Sequence, residues 1–237
     1  MLHVCVWCMH RLVNTVDTWV SQALAVYGEW CEHEVDVYRA ILRAGDCAVD
    51  VGANVGILTA RLAHLVGRTG CVIAVEPSPR CLDDLRAVVD ALGEMVEVSV
   101  VQAALGPVDG TVVLTGWDNP DHRGLGTAVV GHRAGLEENW HEGRAVEVPQ
   151  RRLVDVVAEH VGDREVGLLK VDVEGYEAEV LAGAPDLFTK GRVRSAILEV
   201  TPEVDASWAA DLINSSPAYR AFAIEESGRV LRRTSLR

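Results

Sequence analysis

The stretch Asp46-Cys-Ala-Val-Asp50-Val-Gly52-Ala-Asn54-Val-Gly56 decides how this chain folds. It reads as a buried strand, Cys47 to Val51, running into a glycine turn and then a helix that reaches Val66. Asp50 falls where the strand ends. Twenty residues beyond Gly56, at Glu76-Pro77, a second apolar run, Cys71 to Val75, comes to its end. A strand, a glycine turn, a helix and a second strand ending in an acid form the mononucleotide-binding half of a doubly wound sheet. The turn brings backbone close to a ligand, and the acid can take both hydroxyls of a ribose.

The glycine spacing narrows the ligand. A dinucleotide fingerprint is G-x-G-x-x-G, in which the second glycine lets backbone approach a pyrophosphate. Here Gly52 and Gly56 enclose Ala53, Asn54 and Val55, so the spacing is G-x-x-x-G, and no Gly-Lys-Ser/Thr of a phosphate loop follows. Asp50, two residues before Gly52, would repel a pyrophosphate but suits a ligand carrying positive charge. S-adenosylmethionine has a ribose, an ammonium group and a sulfonium, and no phosphate, so the turn favours it over NAD. The bland alternative is a tight strand-to-helix turn in some other α/β protein, and Glu76 at this distance counts against it.

Composition sets the frame. The 237 residues suit one sizeable α/β domain, and 49% apolar residues supply a full core. Phe188 and Phe222 are the two phenylalanines, so that core must be built from Val, Leu, Ala and Ile, as strands buried on both faces require. A net charge of −13 opposes a large nucleic-acid footprint, which needs clustered Lys and Arg. No run reaches the length of a membrane span. The first twenty residues, interrupted by His3, His10, Arg11, Asn14 and Asp17, lack the zones of a signal peptide. A cytoplasmic protein is expected. The six cysteines (Cys5, Cys8, Cys31, Cys47, Cys71 and Cys81) lie in the first third of the chain and read as reduced thiols. A zinc site from Cys5, Cys8, Cys31 and His33 matches no ribbon or finger spacing.

Along the chain, residues 1–44 form a helical cap, broken near Gly28, whose apolar helices could bury themselves against a second copy in a homodimer. After the second strand, Pro79 to Leu92 is expected to be helical, with Val96 to Val101 the third strand. Thr111 to Thr115 alternates like a further strand. Residues 116–148 then change character, rich in Gly, His, Asn and Trp, and read as an inserted lid with a short edge strand at Val146 to Val148. A helix from Arg152 to His160, a fourth strand from Val166 to Val173, a helix from Tyr176 to Phe188 and a fifth strand from Ser195 to Val200 complete the core. A helix from Ser207 to Asn214 and a hairpin, Ala221 to Glu225 and Val230 to Arg233 turned at Ser227-Gly228, end the chain. The expected fold is thus α/β and Rossmann-like, a seven-stranded mostly parallel sheet with a C-terminal antiparallel hairpin. Asp50, Glu76, Gln102, Asp172 and Glu199 lie near strand ends, where open α/β sheets bind ligands.

Five segments agree in order and spacing with one family. They are Asp50-Val-Gly-Ala-Asn-Val-Gly56, Glu76-Pro77, Ala104-Leu-Gly106, Lys170-Val-Asp-Val-Glu-Gly-Tyr-Glu177 and Leu181-Ala-Gly183. Over Gly45 to Glu199 the chain resembles the FkbM family of class I, S-adenosylmethionine-dependent methyltransferases. Family members often show Leu-Asp before the fourth strand, whereas here Asp155 stands two places beyond Leu153. The resemblance implies methyl transfer to a hydroxyl of a small molecule, a natural product or a sugar. It further implies that Asp50, Gly52, Asn54 and Gly56 line the methionine part of the cofactor. Glu76-Pro77 would hold the ribose, Gln102 and Ala103 would lie near the adenine, and Asp172 would stand at the methyl-transfer mouth as base or orienting group.

Other readings stand beside these. Lys170 can be a structural ion-pair partner, and Glu174 can cap the helix starting at Gly175. Asp172 and Glu199 could hold a divalent metal, but no third ligand is evident and the expectation is no metal. His122, His132 and His141 each offer an imidazole suited to proton abstraction near neutral pH, and each reads equally as a loop histidine. Two other functions are an N-methyltransferase, suggested by Asp118-Asn-Pro-Asp121 at an ill-fitting position, and a cofactor-binding regulatory domain without turnover.

Overall fold

The computed structural model describes residues 32–115, 145–199, 222–224 and 230–232. Most of the expected cap (1–31), most of the expected lid (116–144) and the helix expected at 207–214 lie outside them, as do His122, His132 and His141.

Helix α1 (Glu32–Ile41) leads into strand β1 (Cys47–Val51), helix α2 (Ile57–Val66), strand β2 (Cys71–Val75), helix α3 (Pro79–Leu92), a single 3-10 turn at Gly93–Met95 and strand β3 (Glu97–Val101). Strands β4 (Ala104–Leu105), β5 (Gly110–Leu114) and β6 (Val146–Arg151) follow. Helix α4 (Leu153–His160), strand β7 (Val166–Val171), helices α5 (Glu177–Ala182) and α6 (Pro185–Thr189) and strand β8 (Ala196–Leu198) complete the core, with β9 (Phe222–Ile224) and β10 (Val230–Arg232) beyond it.

The main sheet has the order β3-β2-β1-β7-β8 and every pairing in it is parallel. Every residue of β1, β2 and β7 is buried, which is why these strands are apolar on both faces and not alternating, with Asp50 and Lys170 as their buried charged residues. Alternate residues face opposite layers. Ala48, Val72 and Leu168 pack with Tyr38, Leu62 and Val66 of α1 and α2. Val49, Ile73 and Leu169 pack on the other face with Leu153, Val156, Val180 and Phe188 of α4, α5 and α6. The sheet is therefore wound on both sides, and the strand order reverses direction between β1 and β7. A crevice opens at such a reversal, above the carboxyl ends of the strands.

Five strands make up this sheet among the described residues, not seven. β9 and β10 pair antiparallel in a two-stranded sheet, and β4, β6 and β5 form a three-stranded one. Two sequence expectations change form. The segment at Val146 runs on to Arg151 and is the middle strand of its sheet, because it pairs with both β4 and β5; the last residues assigned to the lid belong to it. The helix expected over Tyr176 to Phe188 is two short helices. Pro185 cannot continue the hydrogen bonding of α5 and forces Ala184 out of helical geometry, to φ −150°.

Candidate functional site

Parallel register sets the site. Asp50 of β1 stands directly opposite Lys170 of β7. The Lys170 ammonium lies 3.8 Å from Asp50 Oδ1 and 3.0 Å from Asp172 Oδ2 just past the end of β7. Asp50 is fully buried and its other oxygen accepts a 2.7 Å hydrogen bond from the Thr59 hydroxyl of α2. Burial raises the Asp50 carboxyl above the ordinary range, against the pull of Lys170 and Thr59. Asp50 thus lies behind the crevice wall and acts on it through Lys170. The structural ion pair weighed for Lys170 is present, to two acids at once.

The glycine turn forms the floor. The Gly52 and Ala53 amides donate to the Val75 carbonyl at 3.0 Å each, binding the turn to β2. Gly52 has φ +80°, and a Cβ there would stand 1.8 Å from the Asp172 carbonyl oxygen. Gly56 has φ +88°, and its Cβ would press to 2.7 Å from Leu85 of α3, so this glycine serves helix packing and not the crevice. Asn54, at φ 52°, turns its amide to Glu76 Oε2 at 2.8 Å, and the Ser78 amide donates to Glu76 Oε1 at 2.8 Å. Both carboxylate oxygens of Glu76 are therefore aimed by backbone and keep lone pairs for a ligand. Burial pushes the Glu76 carboxyl up to about 7, although both amides favour its ionised form.

A pair of acids, Asp172 and Glu199, closes the site. Asp172 is partly open, 40% exposed. Burial opposes its charge, but Lys170 and a hydrogen bond with Glu199 outweigh that and hold it below the usual carboxylate range. Glu199 is pushed up to about 8 by burial and by the Asp172 charge, so it is the member of the pair that keeps the proton. Among the described residues no cluster of three or more His, Cys, Asp or Glu side chains could hold a metal ion.

The loop after β7 is held by a residue that sequence reasoning passed over. Glu177 is buried, and its Oε1 accepts from the amides of Val173 at 3.0 Å and Gly175 at 3.1 Å. Glu174 does not cap the helix; the helix begins at Glu177, and Glu174 itself has φ 57°. The signal for Glu177 was present as the last acid of the Lys170–Glu177 segment. Thr59 carried no such signal, since a helical threonine nine residues after Asp50 shows its direction only once the helix is docked.

The crevice, about 640 Å³ counted to its open mouth, is lined by Gly52, Asn54, Glu76, Pro77 and Ser78 from the first half of the sheet. Ala103, Ala104, Leu105 and Leu114 give it an apolar wall, and Asp172, Glu174 and Tyr176 complete it. Gln102 is exposed, its Oε1 accepting from Arg86 at 3.3 Å, and does not line the crevice. Glu76, Asp172 and Glu174 are acids, and none of the described lining residues is Lys, Arg or His.

A doubly wound parallel sheet with a glycine turn and acids at its reversal point defines an α/β protein whose ligand crevice lies at the carboxyl ends of the strands. The family model for the methyltransferase FkbM domain matches residues 50–223. The chain belongs to that methyltransferase family. It is similar to the methyltransferase sdnD of Sordaria araneosa, 28% identical over 210 residues that cover 78% of this chain and 80% of the relative. It is also similar to the 31-O-demethyl-FK506 methyltransferase FkbM of Streptomyces tacrolimicus, 33% identical over 178 residues, 67% of this chain and 66% of that one. A third relative, methyltransferase 1 of Beauveria bassiana, is 29% identical over 148 residues, 58% of each chain.

Proposed function

We propose that the crevice binds S-adenosylmethionine and that the protein methylates a hydroxyl oxygen of a small molecule, a natural product or a sugar. The observation that carries this is the charge of the crevice: three acids and no cation line it among the described residues. A pyrophosphate would find nothing to neutralise it there, whereas an ammonium and a sulfonium would.

The residues fit the cofactor. Gly52 and Asn54 stand where the amino-acid part would lie, and Glu76 presents lone pairs to two ribose hydroxyls. Ala103 and the apolar wall suit a flat base. When bound, the cofactor supplies a methyl group on a positively charged sulfur. The chain's own part is to hold the acceptor in line and to remove its proton. Asp172, ionised beside Lys170 and open to the crevice, is the proton acceptor at its Oδ atoms, and Glu199 orients it.

The same reading takes the fold as a seven-stranded class I sheet that the C-terminal strands complete, and the protein as one that acts in the cytoplasm. No described helix is long and apolar enough to cross a membrane. A net charge of −13 speaks for a small acceptor over a nucleic acid.

Calorimetric titration with S-adenosylmethionine and S-adenosylhomocysteine, followed by a product-release assay on hydroxylated acceptors, tests the proposal. Micromolar binding of both is expected. Absence of binding would overturn it, and binding without turnover on any acceptor would favour a regulatory domain.

A further inference from the structure

Strand order sets a series of positions along the crevice. Ala103 follows β3, Glu76 follows β2, Gly52 follows β1, Asp172 and Glu174 follow β7, and Glu199 follows β8, in the order in which those strands lie side by side. A nucleoside with its base against Ala103 and its ribose on Glu76 reaches Gly52 with its amino-acid part. Glu174 stands one strand further on. Burial and the Asp172 charge raise the Glu199 carboxyl and the Glu174 charge adds to them, so Glu174 lies within reach of the β8 end.

The loop after β7 keeps an acid at its tip. Val173 and Gly175, the neighbours of Glu174, both give their amides to Glu177 Oε1, at 3.0 and 3.1 Å, and Glu177 is buried. Glu174 is left between these two bonds, half-buried in the crevice lining. Its φ of +57° is followed by +98° at Gly175, a backbone that favours Gly, Asn or Asp at the first of the two positions. A glutamate there costs stability, so its backbone fit does not account for it.

Of the three acids that line the crevice, Glu76 serves the ribose and Asp172 the proton. The cofactor does not require Glu174, because its own carboxylate offsets its ammonium and leaves the sulfonium as its net charge. We propose that Glu174, presented by Glu177, binds the methyl acceptor, and that this acceptor is an amino alcohol whose ammonium group lies close to the hydroxyl that is methylated. This rests on the S-adenosylmethionine reading of the crevice. Asp172 and Glu174 share one short loop, so the hydroxyl and the ammonium they take are near neighbours. An anionic acceptor would meet Glu174 and no lining cation among the described residues. The net charge of −13 likewise draws cations and repels anions.

The test compares three acceptors on one scaffold, methyl glucosaminide, methyl glucoside and methyl glucuronide, with the full chain and S-adenosylmethionine at about pH 7. Product release should give the highest kcat/KM for the amine and the lowest for the uronate. The amine should lead the uronate by about tenfold or more, the range of a hydrogen bond to a charged group. Glu174→Gln should bring the three within about threefold of one another, with calorimetric affinity for S-adenosylhomocysteine also within about threefold of wild type. Glu177→Leu, which releases both amides, should lose the discrimination, and Glu177→Gln, whose Oε1 still accepts them, should keep it. Should Glu177→Leu not fold, Glu174→Gln carries the test. No lead for the amine, turnover of none of the three, or an undiminished lead in Glu174→Gln overturns the assignment. A fall of about tenfold in S-adenosylhomocysteine affinity in Glu174→Gln overturns it as well, since Glu174 would then be a cofactor ligand. If the wild type does not bind S-adenosylhomocysteine, the cofactor reading itself has failed.

Discussion

The backbone carbonyl of Asp172 occupies the space that a side chain on Gly52 would need, 1.8 Å from the position of its Cβ. The two residues directly follow the neighbouring parallel strands β1 and β7, and their contact brings the glycine turn and the acidic mouth of the crevice together. No side-chain rotation can relieve a clash with backbone. Gly52→Ala is therefore expected to cost more than about 3 kcal/mol, from the positive φ and the forced separation of β1 from β7 together. Gly67, at φ +65° with nothing within 4 Å of its Cβ, provides the control. Gly67→Ala, at ψ −171° in backbone space kept almost to glycine but with no clash to add, should cost about 1–3 kcal/mol. Equal thermal unfolding shifts in the two variants would show that the Gly52 contact is not a constraint.

Thr59→Val keeps the shape of a fully buried side chain and deletes its 2.7 Å bond to Asp50. A hydrogen bond to a charged group contributes about 1.5–3 kcal/mol, so denaturant unfolding should show a loss of that order. A loss below about 0.5 kcal/mol would mean that Asp50 is neutral in the folded protein.

Lys170→Met leaves Asp50 buried without its counter-charge. Removing one partner of a buried pair costs about 3–5 kcal/mol, or forces a proton onto the carboxylate that remains. The same change takes from Asp172 the cation that offsets its burial, so its proton is lost at higher pH than in the wild type. The acid limb of the rate profile should move upward in pH. An unmoved acid limb would remove Lys170 from the control of Asp172.

Binding of the cofactor should release a proton. The Glu76 carboxyl is raised from 4.5 to about 7. In the free protein the stability tied to that shift is therefore complete below the unfolded value and lost as pH rises through about 7. Ribose hydroxyls donating to the carboxylate favour its charged form and pull this value down. Affinity should rise from about pH 6 to about pH 8, and heats measured at about pH 6.5 in buffers of different ionisation enthalpy should reveal the released proton. Glu76→Gln should abolish the release. Identical release in Glu76→Gln would assign the proton to another group.

Asp172→Asn should lower turnover by roughly 10²–10⁴-fold while cofactor affinity stays within about threefold, because a general base acts on the reaction and not on binding. A comparable fall in affinity would make Asp172 a cofactor ligand first.

Much of the crevice was legible in the chain. β1, β2 and α3 begin and end where the runs Cys47 to Val51, Cys71 to Val75 and Pro79 to Leu92 place them. The two strands are short and buried on both faces, and the helix starts at Pro79 and stops before Gly93, so none has much freedom to lie elsewhere. Glu76, Gly52, Asn54, Ala103 and Asp172 all reach the crevice lining. Asp50 and Gln102 do not, because a residue's position at a strand end says nothing of the direction its side chain takes.

The sequence alone determined the order of strands and helices, the glycine turn and the acids at the strand ends, because local periodicity and backbone chemistry decide these. Only the tertiary structure decided which groups touch. Asp50 meets Lys170 through the β1–β7 register, Thr59 reaches Asp50 from a docked helix, and Tyr176, in the loop after β7, meets Gln150 of β6. Such contacts join residues far apart in the chain, and their energies depend on burial that no local pattern encodes.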